Sequence, residues 1–303
     1  MSQRVRNKII IAAVLTACLT VFNQQTSEAA PLLGIADQHG AGYQTELFRD
    51  LAVKQVRLTV PFDSALKKGF ARDDIDAAMD KIKKSELEVL VVIARSRTRG
   101  VSVSKTSYRR GLKAVLKRWP QIHLLSPYNE ANLTAPTKTR PAMAAAFSKI
   151  SRQLCRSCLV ASPSVVDVGN LASWSRKYSK ALPRKYRPSV WLLHNYMDAN
   201  YLRISNTKVF MREHRKNTIW IAETGGLFSH NIPGNNASRW DTGAQQQVKV
   251  FNWLTKTFAK KYKNVSRIYI YQWSGSLDWD SGIVDASGNP RPIYFDLLKY
   301  QQR

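Results

Sequence analysis

Acidic residues are scarce in this chain: 21 Asp and Glu stand against 47 Lys and Arg, a formal net charge of +26 over 303 residues. A field of that sign repels basic ligands and draws polyanions. Cysteine is scarcer still, at three residues. No second CxxC accompanies Cys155 and Cys158, and His39, His123, His194, His214 and His230 show no HExxH or comparable spacing. Zinc-ribbon and zincin sites therefore lack their ligands, and no metal is expected. No GxGxxG or GxxxxGK loop follows the first strand-like run, which excludes the usual dinucleotide and P-loop phosphate sites. Linkers, repeats and low-complexity tracts are missing as well, so one domain is expected. Nothing beyond the N-terminus is apolar for long enough to span a membrane, and no nucleic-acid motif is recognisable despite the charge.

What is present is material for a core: 44% hydrophobic and 10% aromatic residues, well outside the composition of disordered chains. The N-terminus reads as an export signal over residues 1–29. Arg4, Arg6 and Lys8 precede the apolar stretch IIIAAVLTACLTVF, and Ser27-Glu28-Ala29 offers a small-x-small cleavage site. The expectation is a secreted protein of residues 30–303, monomeric, with a charge of +24 once that segment is removed. Leu15-Thr16-Ala17-Cys18 also resembles a lipoprotein box, so anchoring at Cys18 is the competing outcome. In an oxidising destination Cys155 and Cys158 are either a local disulfide or two free thiols.

From residue 32 onward, strand-like and helix-like segments alternate. Eight β-like runs are legible: 32–38, 55–63, 88–95, 122–130, 158–166, 190–198, 218–225 and 266–275. Each is apolar on both faces and is separated from the next by a segment with 3.6-residue periodicity. That pattern predicts a parallel sheet covered by helices. Eight units in about 250 residues match a single (β/α)8 TIM barrel.

Active sites of such barrels lie at the C-terminal ends of the strands. Those ends deliver Asp37, Arg57, Asn129 and Glu130, His194 and Tyr196, Glu223 and Trp273. Carboxylates, amides, imidazole and aromatics converging on one rim suit an oligo- or polysaccharide, with many hydroxyls and apolar ring faces. Glu130 ends the fourth run and Glu223 the seventh. Two carboxylates across a barrel mouth can divide acid and nucleophile roles when their surroundings differ. A separation of about 5–5.5 Å permits a covalent glycosyl-enzyme, and about 6.5–9.5 Å leaves room for an attacking water.

With these residues the chain resembles a clan A glycoside hydrolase over roughly residues 32–300. Asn129-Glu130 on strand four, Glu223 in IAETG on strand seven, Tyr196, Trp273 and the closing segment GIVDASGNPRPIYFDLL carry the resemblance. It implies a retaining reaction without a cofactor, with Glu130 as acid/base and Glu223 as nucleophile. Asn129 would then donate to the sugar 2-hydroxyl, Tyr196 would orient Glu223, and Trp273 would offer a ring face to the sugar. Arg57 is either a partner of Glu223 or a structural ion pair, and His194 either orients a carboxylate or is a satisfied core histidine. Asp37 is counted with the substrate-binding rim. Ala131 departs from the pattern, since many relatives have Pro there, and Tyr196 stands where some have His.

The charge keeps another reading open: a non-catalytic cationic protein binding carbohydrate or cell wall on the same barrel. For either reading the surface excess points toward an anionic glycan, such as one of a cell wall.

Overall fold

The computed structural model describes residues 30–133, 139–231 and 240–302. The export segment and Cys18 lie outside these residues. The strands are β1 (Leu32–Asp37), β2 (Gln55–Pro61), β3 (Glu88–Ala94), β4 (Leu124–Ser126), β5 (Leu159–Val160), β6 (Ser164–Val166), β7 (Val190–His194), β8 (Thr218–Thr224) and β10 (Val265–Tyr271). They pair in the order β5-β4-β3-β2-β1-β10-β8-β7-β6, with every ladder parallel. The sheet curls through 285°, the α/β architecture expected from the alternating runs.

The two ends of that order are consecutive pieces of one predicted strand. Pro163 lacks the N–H that a continuous ladder needs, and the fifth run breaks there into β5 and β6. The bonds around the break reach both neighbours. Ala161 N–H donates to Leu125 O at 2.9 Å and Ser162 N–H to Val190 O at 3.0 Å. The edges of the sheet therefore meet in a single stretch of chain.

Alternation along each strand sorts two apolar layers, because successive side chains point to opposite faces. Val89, Val91 and Ile93, with Ile219, Ile221, Ile268 and Ile270, face outward to the helices. Leu90, Val92, Leu192, Trp220, Ala222, Tyr269 and Tyr271 fill the interior. At the lower end Arg267 pairs with Glu88, lies 4.2 Å over the Trp220 ring and reaches the Tyr269 hydroxyl at 3.3 Å. A Cβ on Gly34 would stand 2.5 Å from the Tyr269 ring, so glycine on β1 is what admits that ring.

The surrounding helices include α1 (Glu46–Asp50), α2 (Phe70–Lys84), α3 (Lys105–Arg118), α4 (Pro141–Leu154) and α5 (Leu171–Ala181). Local chemistry sets their starts. Ser104 and Ser107 form a reciprocal capping box ahead of α3, and Pro141 supplies the preset φ at the start of α4. A bridge joins Cys155 to Cys158 with their Cα atoms 5.3 Å apart, at the turn from α4 into β5. After β7 come α6 (Tyr196–Asn200) and α7 (Lys208–Glu213). The run predicted over 190–198 thus ends four residues early, and Tyr196 opens a helical turn. A ribbon of β9 (Ser229–His230) and β11 (Trp279–Asp280) forms an antiparallel pair beside the mouth, which the sequence did not announce. No helix among the described residues is long and apolar enough to cross a membrane.

Gly111 on α3 illustrates how closely helix and sheet approach. A Cβ there would fall 2.0 Å from the Phe62 carbonyl oxygen, a backbone atom that cannot rotate away. Ala would gain about 1 kcal/mol of helix propensity but incur overpacking of about 1–3 kcal/mol. Gly111→Ala is therefore expected to lower stability by up to about 2 kcal/mol in urea denaturation. Gly169→Ala, with nothing within 4 Å of the new carbon, should stay within about 0.5 kcal/mol of the parent.

Candidate active site

The loop after β4 is fixed before it delivers any side chain. The Tyr108 hydroxyl donates to Pro127 O at 2.7 Å, and Asn129 N–H donates to Ile93 O at 2.8 Å. Glu130 then adopts φ +47°, a left-handed conformation that costs a non-glycine residue on the order of 1 kcal/mol. Its N–H donates to the Ser164 hydroxyl at 3.2 Å, and that hydroxyl donates to Asn129 Oδ1 at 3.1 Å. One serine on β6 thus holds both members of the Asn-Glu pair. With Oδ1 also accepting from Arg57 at 2.8 Å, the Asn129 amide is oriented with Nδ2 as its free donor end.

Glu223 reaches the same space by an irregularity. Ile219 and Ile221 point outward while Trp220 and Ala222 point inward, so strict alternation would send Glu223 toward the helices. The pairing shifts instead: Leu193 faces Ile221 but His194 faces Glu223, and on the other side Ile270 faces Thr224. The extra residue is a β-bulge, a device that re-aims side chains, and it turns Glu223 inward beside His194.

Arg57, fully buried on β2, connects the two glutamates' surroundings. Its Nη1 lies 2.7 Å from Glu223 Oε2, and its Nη2 donates to Asn129 and approaches His194 Nε2 at 3.4 Å. A guanidinium only donates, so this contact makes Nε2 the acceptor and leaves the imidazole proton on Nδ1. Nδ1 lies 3.2 Å from Glu130 Oε1 and donates to it. Burial pushes the His194 pKa down to about 3, opposed by the charge of Glu223, so the ring is neutral. Tyr196 donates to Glu223 Oε1 at 3.1 Å. Its phenol is driven well above its ordinary value by burial and by the Glu223 charge, which keeps it a donor.

The two carboxylates live in different environments. Glu223 is ion-paired with a guanidinium and accepts from a phenol. Glu130 is held above its ordinary value of 4.5 by burial, with the charge of Arg57 acting in the opposite direction. Side-chain exposures of 22% for Glu130 and 13% for Glu223 leave both within reach of a ligand from the mouth. One oxygen of each and a ring nitrogen of His194 lie within 4.8 Å of one another. As a set of donors these three could hold a cation. Here Glu223 already receives Arg57 and Tyr196, and Nδ1 of His194 carries a proton toward Glu130, so a metal would have to displace all three.

The other expected site residues are placed differently. Trp273 is 4% exposed and belongs to the outer apolar layer. Its ring lies 2.4 Å from where a Gly42 Cβ would be and 5.4 Å from the Phe48 ring. It is core, not a sugar platform, because Gly42 and α1 close over it. Asp37 turns back on its own strand exit, accepting from the N–H groups of Gln38 at 2.6 Å and His39 at 3.2 Å; burial raises its pKa. It does not join the carboxylate pair. Tyr271, unremarked in the sequence, does face the site, and its hydroxyl accepts from Gln38 Nε2 at 2.9 Å. Half-buried Trp279 on the ribbon packs edge-on against Tyr196 at 5.3 Å and Trp240 at 5.9 Å. Their shared signal was aromatic character next to a strand end, which is too common to single them out.

No protein-family model and no curated protein matches the sequence. Solved structures do match in fold. A family 39 glycoside hydrolase from Bacteroides cellulosilyticus WH2 superposes with a TM-score of 0.62 at 12% identity, over 90% of this chain and 64% of that one. A GH30 endoxylanase from Clostridium papyrosolvens C71 gives 0.60 at 16% identity, over 90% and 72%. The catalytic core of xylanase A gives 0.62 at 12% identity, over 91% and 99%. The chain spans 64% of the family 39 protein and 50% of an uncultured Clostridium β-glucuronidase. At these identities the likeness is one of fold, and that fold is the barrel of the group the sequence resembles.

Removing the shared cation tests the arrangement. Breaking a buried ion pair by deleting one partner costs about 3–5 kcal/mol, so Arg57→Met should lower the urea midpoint markedly at neutral pH. Arg57→Lys should recover only part of the loss, because a single ammonium cannot reproduce the fork that meets Glu223 and Asn129 together.

Proposed function

We propose that the protein is a secreted retaining glycoside hydrolase acting on β-linked glycan, with Glu130 as acid/base and Glu223 as nucleophile. The observation that carries this reading is the proximity of the two carboxylates, with one oxygen of each inside 4.8 Å, in unlike surroundings: Glu223 meets Arg57 and Tyr196, while burial holds Glu130 above its ordinary value. Retaining enzymes hold the pair about 5–5.5 Å apart, and inverting ones need about 6.5–9.5 Å. The fold shared with glycoside hydrolases supports the same class. Secretion rests on the leader-like residues 1–29.

In the first step Glu223 attacks the anomeric carbon while protonated Glu130 gives its proton to the departing glycosidic oxygen. The sugar is left esterified to Glu223, and Glu130 becomes a carboxylate. That carboxylate then takes a proton from water, whose oxygen displaces Glu223 and restores both groups. Tyr196 and Arg57 hold Glu223 in line for attack. Neutral His194, donating to Glu130, orients the acid without supplying a competing proton. The free Nδ2 of Asn129 is the donor suited to the 2-hydroxyl.

Glu130→Gln and Glu223→Gln should each reduce hydrolysis of a responsive β-glycan by about a thousandfold or more, with circular dichroism unchanged. Parent-like turnover in both variants would sink the reading. The pH profile gives a second check. Glu130 must start protonated, so kcat/KM should fall as pH rises through its pKa, which burial has moved above 4.5. In Glu130→Ala acting on an activated aryl β-glycoside that basic limb should vanish, and azide should restore turnover by entering the space left by the carboxyl group.

A further inference from the structure

The mouth continues away from the carboxylates along the loop after β3. A cavity of about 210 Å³ begins at Gln38, Thr59 and Asn129 and is walled by Arg95 and Arg97. A second, of about 500 Å³, shares Ser96 and Arg97 with it and runs outward to the start of α2. Its lining contributes Lys67, Lys68, Arg72, Arg97 and Arg110 against one carboxylate, Asp63, which already accepts from the Ser96 hydroxyl at 2.7 Å. Arg97 is anchored to Asp74 at 2.7 Å. Among the described residues Arg95, Lys67, Lys68 and Arg110 have no ion-pair or hydrogen-bond partner, and each lies open to solvent or at the cavity wall.

The same cavity holds an apolar ring in water. Phe70, the first residue of α2, is 75% exposed, with the Arg97 guanidinium 5.8 Å from its centroid. Unpaired cations spaced along a groove, an aromatic face among them, and an end at Asn129, the residue before Glu130, form a consistent set. Sugar rings stack on aromatic faces, and sugar carboxylates match the forks of arginine and the point charges of lysine. A phosphodiester chain would carry a negative charge at every link toward Glu130 and Glu223. A glycan keeps its charges on ring substituents and leaves the glycosidic oxygen neutral.

We propose that this groove binds a uronic-acid-bearing glycan, with its carboxylates on Lys67, Lys68, Arg95 and Arg110, one ring on Phe70, and the chain continuing past Asn129 to the glutamates. The proposal rests on the glycosidase reading and specifies its substrate class.

The test is calorimetric binding to the Glu130→Gln protein, with a β-linked hexaglucuronate (cellohexaose oxidised at its primary alcohols), cellohexaose and a short oligothymidylate as probes at low and physiological salt. Hexaglucuronate should bind at least about tenfold more tightly than cellohexaose, and salt should narrow the gap by screening the exposed charges. Combining Lys67→Ala, Lys68→Ala and Arg95→Ala should weaken hexaglucuronate about tenfold, and Phe70→Ala should weaken it further. A charge-matched control, Lys249→Ala with Lys256→Ala and Lys260→Ala, should leave it unchanged. Equal losses in groove and control variants would overturn the proposal. So would a groove variant that weakens oligothymidylate as much as hexaglucuronate, with Phe70→Ala affecting neither. Turnover by the wild-type protein is scored separately, so binding without hydrolysis counts against the glycosidase reading and leaves the groove standing.

Discussion

Arg57 carries a full positive charge at a position with no solvent exposure, and the upper interior of the barrel is arranged around what that burial costs. An isolated cation in such a place is penalised by several kcal/mol. Glu223, Asn129, Thr59 and His194 each meet part of its donor fork. Those contacts in turn decide the orientation of the Asn129 amide and the tautomer of His194. The proton of His194 then faces Glu130. A single side chain therefore determines how four others present themselves to the mouth.

The two ends of the interior are handled differently. Below, Arg267 and Glu88 pair against Trp220 and Tyr269, and the space is filled. Above, Arg57 is covered, while the carboxylates remain reachable. A filled bottom and an open, charged top are what a barrel needs to hold its shape while offering chemistry at one end only.

Much of this was legible in advance. Both-face apolar runs gave the parallel sheet, and counting strands brought Glu130 and Glu223 to one rim, with Asn129, Arg57, His194 and Tyr196 around them. What escaped depended on deviations from regularity. A bulge in β8 turns Glu223 inward, although strict period-two reading would point it at the helices. Tyr196 lies in a helical turn that the apolar run masked. The resemblance made Trp273, near the end of the eighth run, a platform, yet Gly42 lets the chain close over it. Asp37 turns one oxygen back to the N–H groups of its own turn, which composition could not reveal. Trp279 comes from a ribbon between distant segments, a contact with no local signature.

The break at Pro163 has a mechanical side. Ser164, the first residue after it, holds Asn129 and Glu130 through one hydroxyl, so Glu130 is fastened to the seam of the barrel. Glu223 sits on a seven-residue strand paired on both sides. The two carboxylates thus stand on supports of unequal stiffness. Breathing of the sheet at its seam would move Glu130 while Glu223 stays still, and ligands of different size would be met by the side of the mouth that can yield.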